Sequence, residues 1–391
     1  MPRIWATGIA VVATTLLIAP ACAHNDESVV IQGVLLPPEV TDTGSCIFDP
    51  GSTTQLFSGN MDVAVAKSYQ LVVKVENNIQ ARASGDKVRA ESNSILLTGA
   101  TGLVGSTLLP RLVAGGARVR CLVRDPKRLG AERVRVQIAL GDLSDPPSFR
   151  NAMRGVSTVV HLAAAIRDQP AGSIEELNGI ATWRMVEAAE RAGVERFVFF
   201  TALGATAHDR TRFLRAKALA EDAVSSAGIA STTFACSVIY APGDPWLTLV
   251  QRLSLLPAAV MSGSGRALFQ PIWAEDVAAC VEAALARPSA ERVERFELAG
   301  PETLSHEAVV RLVLQASGHE RPLVRVPVPV VRGALRLGET LLGAKAPAVW
   351  DEAELLEVSS TTARGVRDVE ALGVVPRPMG EVLGLAVPAA G

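Results

Sequence analysis

The stretch Gly99-Ala-Thr-Gly102-Leu-Val-Gly105 constrains what this chain can fold into more than any other. It follows an apolar run, Ile95-Leu-Leu-Thr98, and opens a helical pattern over 103–114. Gly99 and Gly102 let the turn tighten and the backbone approach a ligand, while Gly105 lets the helix pack close on the strand. The N–H groups exposed at the helix start favour negative charge above them. Between a strand and a helix, such a loop reads as a cradle for the diphosphate of a dinucleotide. The expected contacts are Gly99, Thr101, Gly102, Leu103, Val104 and Gly105.

From Ser94 onward, apolar strands alternate with helical patterns. The expected strands are 95–98, 119–123, 134–138, 158–162, 197–200 and 232–236. One helix is marked by Ala181, Met185, Ala188, Ala189 and Ala192, with Gly193 placed to end it. Near-continuous apolar strands separated by helices predict an α/β fold: a doubly wound parallel sheet, the Rossmann arrangement, of about six to seven strands. Pro110 falls inside the first helix, where it removes a hydrogen bond, so a kink is expected there.

Composition narrows the partners. The 391 residues carry a net charge of −2 with 20% charged and 49% apolar residues, which excludes a disordered polyelectrolyte and leaves no basic footprint for nucleic acid. Aromatics, at 4%, are too few for a base-stacking platform. Of the cysteines, Cys121, Cys236 and Cys280 sit in apolar runs and read as buried thiols, which leaves only Cys22 and Cys46 for any disulfide. The histidines are scattered without ligand spacing, so no metal site is predicted.

The N-terminal part differs. Residues 1–23 read as an export signal or membrane anchor: Arg3 precedes an apolar run that ends in Ala21-Cys22-Ala23. Ala19-Pro-Ala-Cys22 resembles a lipoprotein box, in which Cys22 would be lipidated. Residues 24–93 are loop-rich, with β-type alternation over 62–67 and 69–75, and predict a small β unit without chemistry of its own. The expected organisation is 1–23, 24–93, a dinucleotide-binding domain over 94–244, and a smaller substrate-side lobe over 245–391 that completes the sheet domain. The leader points to export or anchoring, the dinucleotide domain to the cytoplasm. The change of pattern at Ser94 raises the alternative that residues 1–93 belong to a different gene product. Membrane contact is expected through the N-terminal segment alone.

The second strand ends in Val123-Arg124-Asp-Pro-Lys127-Arg128. An acid there would suit the ribose hydroxyls of NAD, whereas a guanidinium suits a 2′-phosphate. Arg124 therefore favours NADP(H), with NAD(H) as the alternative because Asp125 is adjacent.

Together GATGLVG (99–105), LVRDP (122–126), GDL (141–143), HLAA (161–164), AGVERFV (192–198) and VIYAPGD (238–244) resemble the extended and atypical short-chain dehydrogenase/reductases. The resemblance runs from about Ser94 to the C-terminus and is nearest to the subgroup like the NADPH-binding accessory subunit of respiratory complex I and to NmrA-like proteins. It implies that Asp142 and Leu143 contact the adenine, and that Ala163 and Ala164 lie along the ribose and phosphates. His161 is expected to be a packed strand-end histidine.

Catalysis in that superfamily rests on a Tyr four residues before a Lys, with a Ser or Thr nearby. Here the corresponding stretch is Phe213-Leu-Arg-Ala-Lys217: the lysine, also a cofactor contact, is present and the phenol is not. Thr201 falls where the family carries its hydroxyl, and Tyr240 lies in the loop that borders the substrate pocket in relatives. Two functions follow from the resemblance. One is a non-catalytic dinucleotide-binding, sensing or assembly factor with a protein partner. The other is an NADP-dependent oxidoreductase, epimerase or dehydratase that acts on a small molecule through Thr201, Lys217 or Tyr240.

Overall fold

The computed structural model describes residues 94–255, 257–288, 291–318, 321–342 and 348–385, and the backbone of Val29–Val30 and Val72–Val73. The chain divides into two units, Met1–Ala90 and Glu91–Gly391. In the first, Val29–Val30 pairs antiparallel with Val72–Val73. The expected export signal, the lipobox at Cys22 and strand 62–67 lie outside the described residues.

The second unit is built on one parallel sheet whose strands we label β1 (Ser94–Thr98), β2 (Arg118–Val123), β3 (Gln137–Leu140), β4 (Thr158–His161), β5 (Arg196–Ala202), β6 (Ala230–Cys236) and β7 (Val293–Leu298). Their order in the 7-stranded sheet is β7-β6-β5-β4-β1-β2-β3. Every neighbouring pair is parallel. Helices α1 (Leu103–Ala114), α2 (Pro146–Ala152), α3 (Ala181–Ala192) and α4 (Arg212–Ser226) connect the strands. Two more, α5 (Pro245–Leu253) and α6 (Ala274–Ala286), lie between β6 and β7.

Both faces of the sheet are covered, as the unbroken apolar strands require. On one face Leu108 and Leu112 of α1 join Val277 and Val281 of α6 over Leu97, Val198 and Phe234. On the other, Phe149, Met185, Ala189, Ala220 and Val224 from α2, α3 and α4 pack over Leu96, Phe197 and Phe199. The expected thiols Cys121, Cys236 and Cys280 are buried and free. Gly193 ends α3 in the left-handed conformation at φ 73°.

One expectation is corrected, and one strand was not anticipated. The strand read over 134–138 begins later, at Gln137, because Asp125 caps and Pro126 starts a 3-10 segment that runs to Val134, leaving that valine 82% exposed. Pro110 lies inside α1, which continues to Ala114; the carbonyl that loses its partner belongs to Ser106, an exposed residue that water can reach. Strand β7 was missed because Glu294, Arg295 and Glu297 interrupt its apolar pattern, as suits a strand at the end of the sheet.

Short paired segments form a smaller cluster on the C-terminal side: Ile239–Tyr240 with Ile272–Trp273, Ala259–Ser262 with Leu323–Val326, and Leu268–Phe269 with Leu304–Ser305. Its core gathers Tyr240, Leu247, Met261, Val309 and Val313.

Candidate functional site

The direction of chain progression reverses at β1: β2 and β3 extend to one side, β4 to β7 to the other. Crevices beyond the carboxyl ends of strands at such a point are where open α/β sheets bind ligands. The glycine loop lies there, and its geometry leaves no room for side chains. Gly99 has φ 72°, and a Cβ on it would stand 2.7 Å from the Ala163 nitrogen. A Cβ on Gly105 would stand 2.1 Å from the Gly99 carbonyl oxygen. Gly102 donates its N–H to that same oxygen at 2.9 Å and caps α1 from an extended conformation. The first turn of α1 holds no acidic residue, so its unpaired N–H groups face the crevice without a competing charge.

The loop after β4 is fixed from below. Register sets Thr98 of β1 beside His161 of β4, and the Thr98 hydroxyl lies 2.7 Å from His161 Nδ1. Thr98 Oγ1 accepts the Ala163 N–H at 3.3 Å, which leaves its proton for the histidine. On the far side, the Thr182 hydroxyl donates to the Asn178 carbonyl at 2.6 Å and so accepts from His161 Nε2–H at 3.0 Å. The ring is thereby assigned as the neutral Nε2–H tautomer, and burial pushes its pKa down to about 3. The Asn178 amide brackets Ala165, accepting its N–H at 3.0 Å and donating to its carbonyl at 2.7 Å. Ala163 and Ala164, half-buried and exposed, stand directly before it.

Lys217, on α4, is 5% exposed and donates Nζ to the Phe200 carbonyl at 2.8 Å. Its ammonium lies 4.9 Å from the Phe199 ring centroid and 5.7 Å from that of Phe213. Burial lowers its pKa to about 8. Thr201, the residue after that carbonyl, is 4% exposed and its hydroxyl has no hydrogen-bond partner. Tyr240 is elsewhere, wholly buried in the smaller cluster, its hydroxyl also unpartnered. Burial, with the charges of Asp276, Glu302 and Glu381, raises its pKa.

At the other end of the crevice Arg124 is exposed after β2, with its Nη1 3.7 Å from Asp142 Oδ2. Asp125 Oδ1 accepts the Lys127 N–H at 2.9 Å, capping the turn that follows. Leu143 is half-buried beside Asp142. Sequence reasoning overlooked Asn178, Thr182, Gln169 and Arg212. For the first two a signal existed: polar residues at i and i+4, among the apolar positions that lead into and begin α3. Among the described residues no His, Cys, Asp and Glu group is arranged to hold a metal, and no helix is long and apolar enough to cross a membrane.

Residues 99–240 match a family model described as NAD(P)H-binding. The chain is 30% identical over 269 residues to the sterol demethylase protein B of Methylococcus capsulatus, covering 63% of this chain and 81% of that protein. It belongs to the atypical short-chain dehydrogenase/reductases. A second family member, named as subunit 9 of the NADH dehydrogenase [ubiquinone] 1 alpha subcomplex of Arabidopsis thaliana, is 27% identical over 68% of each chain. The Thermus thermophilus UDP-glucose 4-epimerase, solved in complex with NAD, has the same fold with a TM-score of 0.56 at 19% identity, over 75% of this chain and 97% of that one. As a family member the chain binds a nicotinamide dinucleotide, and the glycine cradle fits its diphosphate sterically and in charge.

Proposed function

We propose that this chain binds NADP(H) in preference to NAD(H) and holds it as a binding, sensing or assembly factor, without the superfamily's usual proton relay. One observation carries the second half. At the position four residues before Lys217 stands the ring of Phe213, which has no ionisable group and lies against the lysine ammonium. The side chain that would pass a proton to a substrate carbonyl is replaced by one that fills the same volume. Loss of a positioned acid costs on the order of 10²–10⁴ in rate, while dinucleotide binding does not depend on it.

The cofactor preference is supported by Arg124 and Asp125 together. Arg124 offers an exposed guanidinium at the end of β2, with Lys127 and Arg128 exposed behind it. Asp125, the residue that would favour ribose hydroxyls, has one carboxylate oxygen committed to the Lys127 N–H. In this reading the Gly99–Gly105 loop holds the diphosphate, Asp142 and Leu143 border the adenine, Ala163 and Ala164 line the ribose, and Lys217 reaches the nicotinamide ribose. The region over 94–244 carries the cofactor and 245–391 lines the opposite side. Such a relative can work by being a component: one family member is named as a subunit of NADH dehydrogenase.

A second reading, an active reductase, epimerase or dehydratase, is favoured by the Thr201 hydroxyl. A buried hydroxyl without a partner is costly, and a substrate carbonyl would satisfy it. The Phe213→Tyr variant separates the two. The binding-factor reading expects wild-type protein to leave NADPH unoxidised with a panel of aldehydes and ketones, and F213Y to gain turnover. Wild-type turnover that Thr201→Val or Lys217→Met abolishes would contradict it.

A further inference from the structure

Three consecutive residues in the loop after β4 each hold a different part of this unit. Arg167 pairs with Glu352 through Nε and Nη2, at 2.8 Å each. Asp168 takes both terminal nitrogens of Arg212, at the start of α4, at 3.0 Å each. Gln169 Oε1 accepts Nη1 of Arg124, beyond the end of β2, at 2.9 Å. The Gln169 backbone is fixed in turn, exchanging N–H and carbonyl with Gly172 at 3.0 Å both ways.

In the sheet, β1 lies between β2 and β4. Arg124 and Gln169 therefore reach toward each other past an intervening strand, across flanking strands about 10 Å apart. The strand they bracket is the one that carries the glycine loop. Asp142 approaches the same guanidinium nitrogen, its Oδ1 held by the Ser144 N–H and hydroxyl at 3.0 Å each and its Oδ2 3.7 Å from Arg124 Nη1. An unsupported arginine at this exposed position would sample many rotamers. Here a neutral acceptor on a pinned backbone holds it.

We infer that Gln169 is a specificity-determining positioning residue, which orients the Arg124 guanidinium for the 2′-phosphate of a bound dinucleotide. Arginine presents five N–H donors, and Gln169 and Asp142 both address Nη1, which leaves the Nε and Nη2 donors for a phosphate. Ordering the side chain in advance lowers the entropy lost on binding. A glutamine does this without adding negative charge beside the phosphate; a glutamate would compete with it. The inference rests on the NADP(H) reading above.

The test is calorimetric titration of the full chain and its Q169A, Q169E and R124A variants with NADPH and with NADH, each variant first shown by its melting curve to be folded. Q169A is expected to weaken NADPH about three- to ten-fold, as for one modest hydrogen bond, and to leave NADH unchanged. Q169E is expected to weaken NADPH further. A purely structural role would weaken both dinucleotides together. That result, or no change in either, overturns the inference. If R124A keeps the wild-type ratio of NADPH to NADH affinity, the NADP(H) reading falls and this inference with it. If R124A lowers the ratio and Q169A does not, the role of Gln169 alone falls.

Discussion

The ammonium of Lys217 lies 5.7 Å from the ring centroid of Phe213, one helical turn earlier, and donates to the Phe200 carbonyl beneath it. An aromatic face and a carbonyl oxygen both stabilise a cation, partly offsetting the burial that lowers the lysine pKa to about 8. Lys217→Met removes a desolvated charge but leaves the carbonyl unpaired, two effects of opposite sign and of about 1–3 kcal/mol each. Calorimetry is expected to find stability within about 1 kcal/mol of wild type and NADPH affinity reduced. A loss above about 3 kcal/mol would show that the lysine is a structural element instead.

The glycine loop makes a sterically sharp case. A Cβ at Gly105 would overlap the Gly99 carbonyl at 2.1 Å, whereas one at Gly115, with φ −73°, would meet nothing nearer than 3.5 Å. Gly105→Ala is expected to cost about 1–3 kcal/mol and to abolish dinucleotide binding. Gly115→Ala is expected to be neutral or to stabilise by up to about 1 kcal/mol with affinity intact. Melting curves and titration on the pair check both.

Acid sensitivity follows from two buried imidazoles. Burial lowers the pKa of His161 to about 3 and that of His306 to about 4, from the ordinary histidine value of 6.5. Below pH 6.5 the unfolded chain takes up protons that the folded one refuses, so stability falls as pH drops. Each histidine contributes at most about 1.4 kcal/mol per pH unit between 6.5 and its folded value. Denaturant melts from pH 7 to 4 should show this slope, shallower in His306→Asn. A flat profile would mean that both rings accept a proton in the folded state.

Thr201→Val replaces an unpartnered buried hydroxyl with a methyl of similar shape. A gain of about 1 kcal/mol is expected, since no bond is lost and a desolvated group is removed. A loss would mean that the hydroxyl is satisfied in the folded protein.

The legibility of this chain divides by range of interaction. Strands β1, β2, β4, β5 and β6 were readable because burial on both faces forces near-continuous apolar runs, and the loop because its glycines answer local steric demands. Strand β7 was not, since Glu294, Arg295 and Glu297 hide it at the sheet end, and β3 was displaced because a proline-started turn absorbs residues that alternate like a strand. Lys217, Phe213 and Thr201 were singled out through the resemblance alone, because the superfamily's Tyr-x-x-x-Lys pattern and its hydroxyl fall on them. Gln169, Arg212 and Asn178 were not, because their partners are set by how separate crossovers meet.

Titration of the whole 391-residue chain with NADPH and then NADH, followed by calorimetry, tests the central claim most directly. The Gly99–Gly105 cradle predicts saturable binding of both and loss of both in Gly105→Ala, and Arg124 predicts that NADPH binds the tighter. No heat and no shift in melting temperature with either dinucleotide would contradict it.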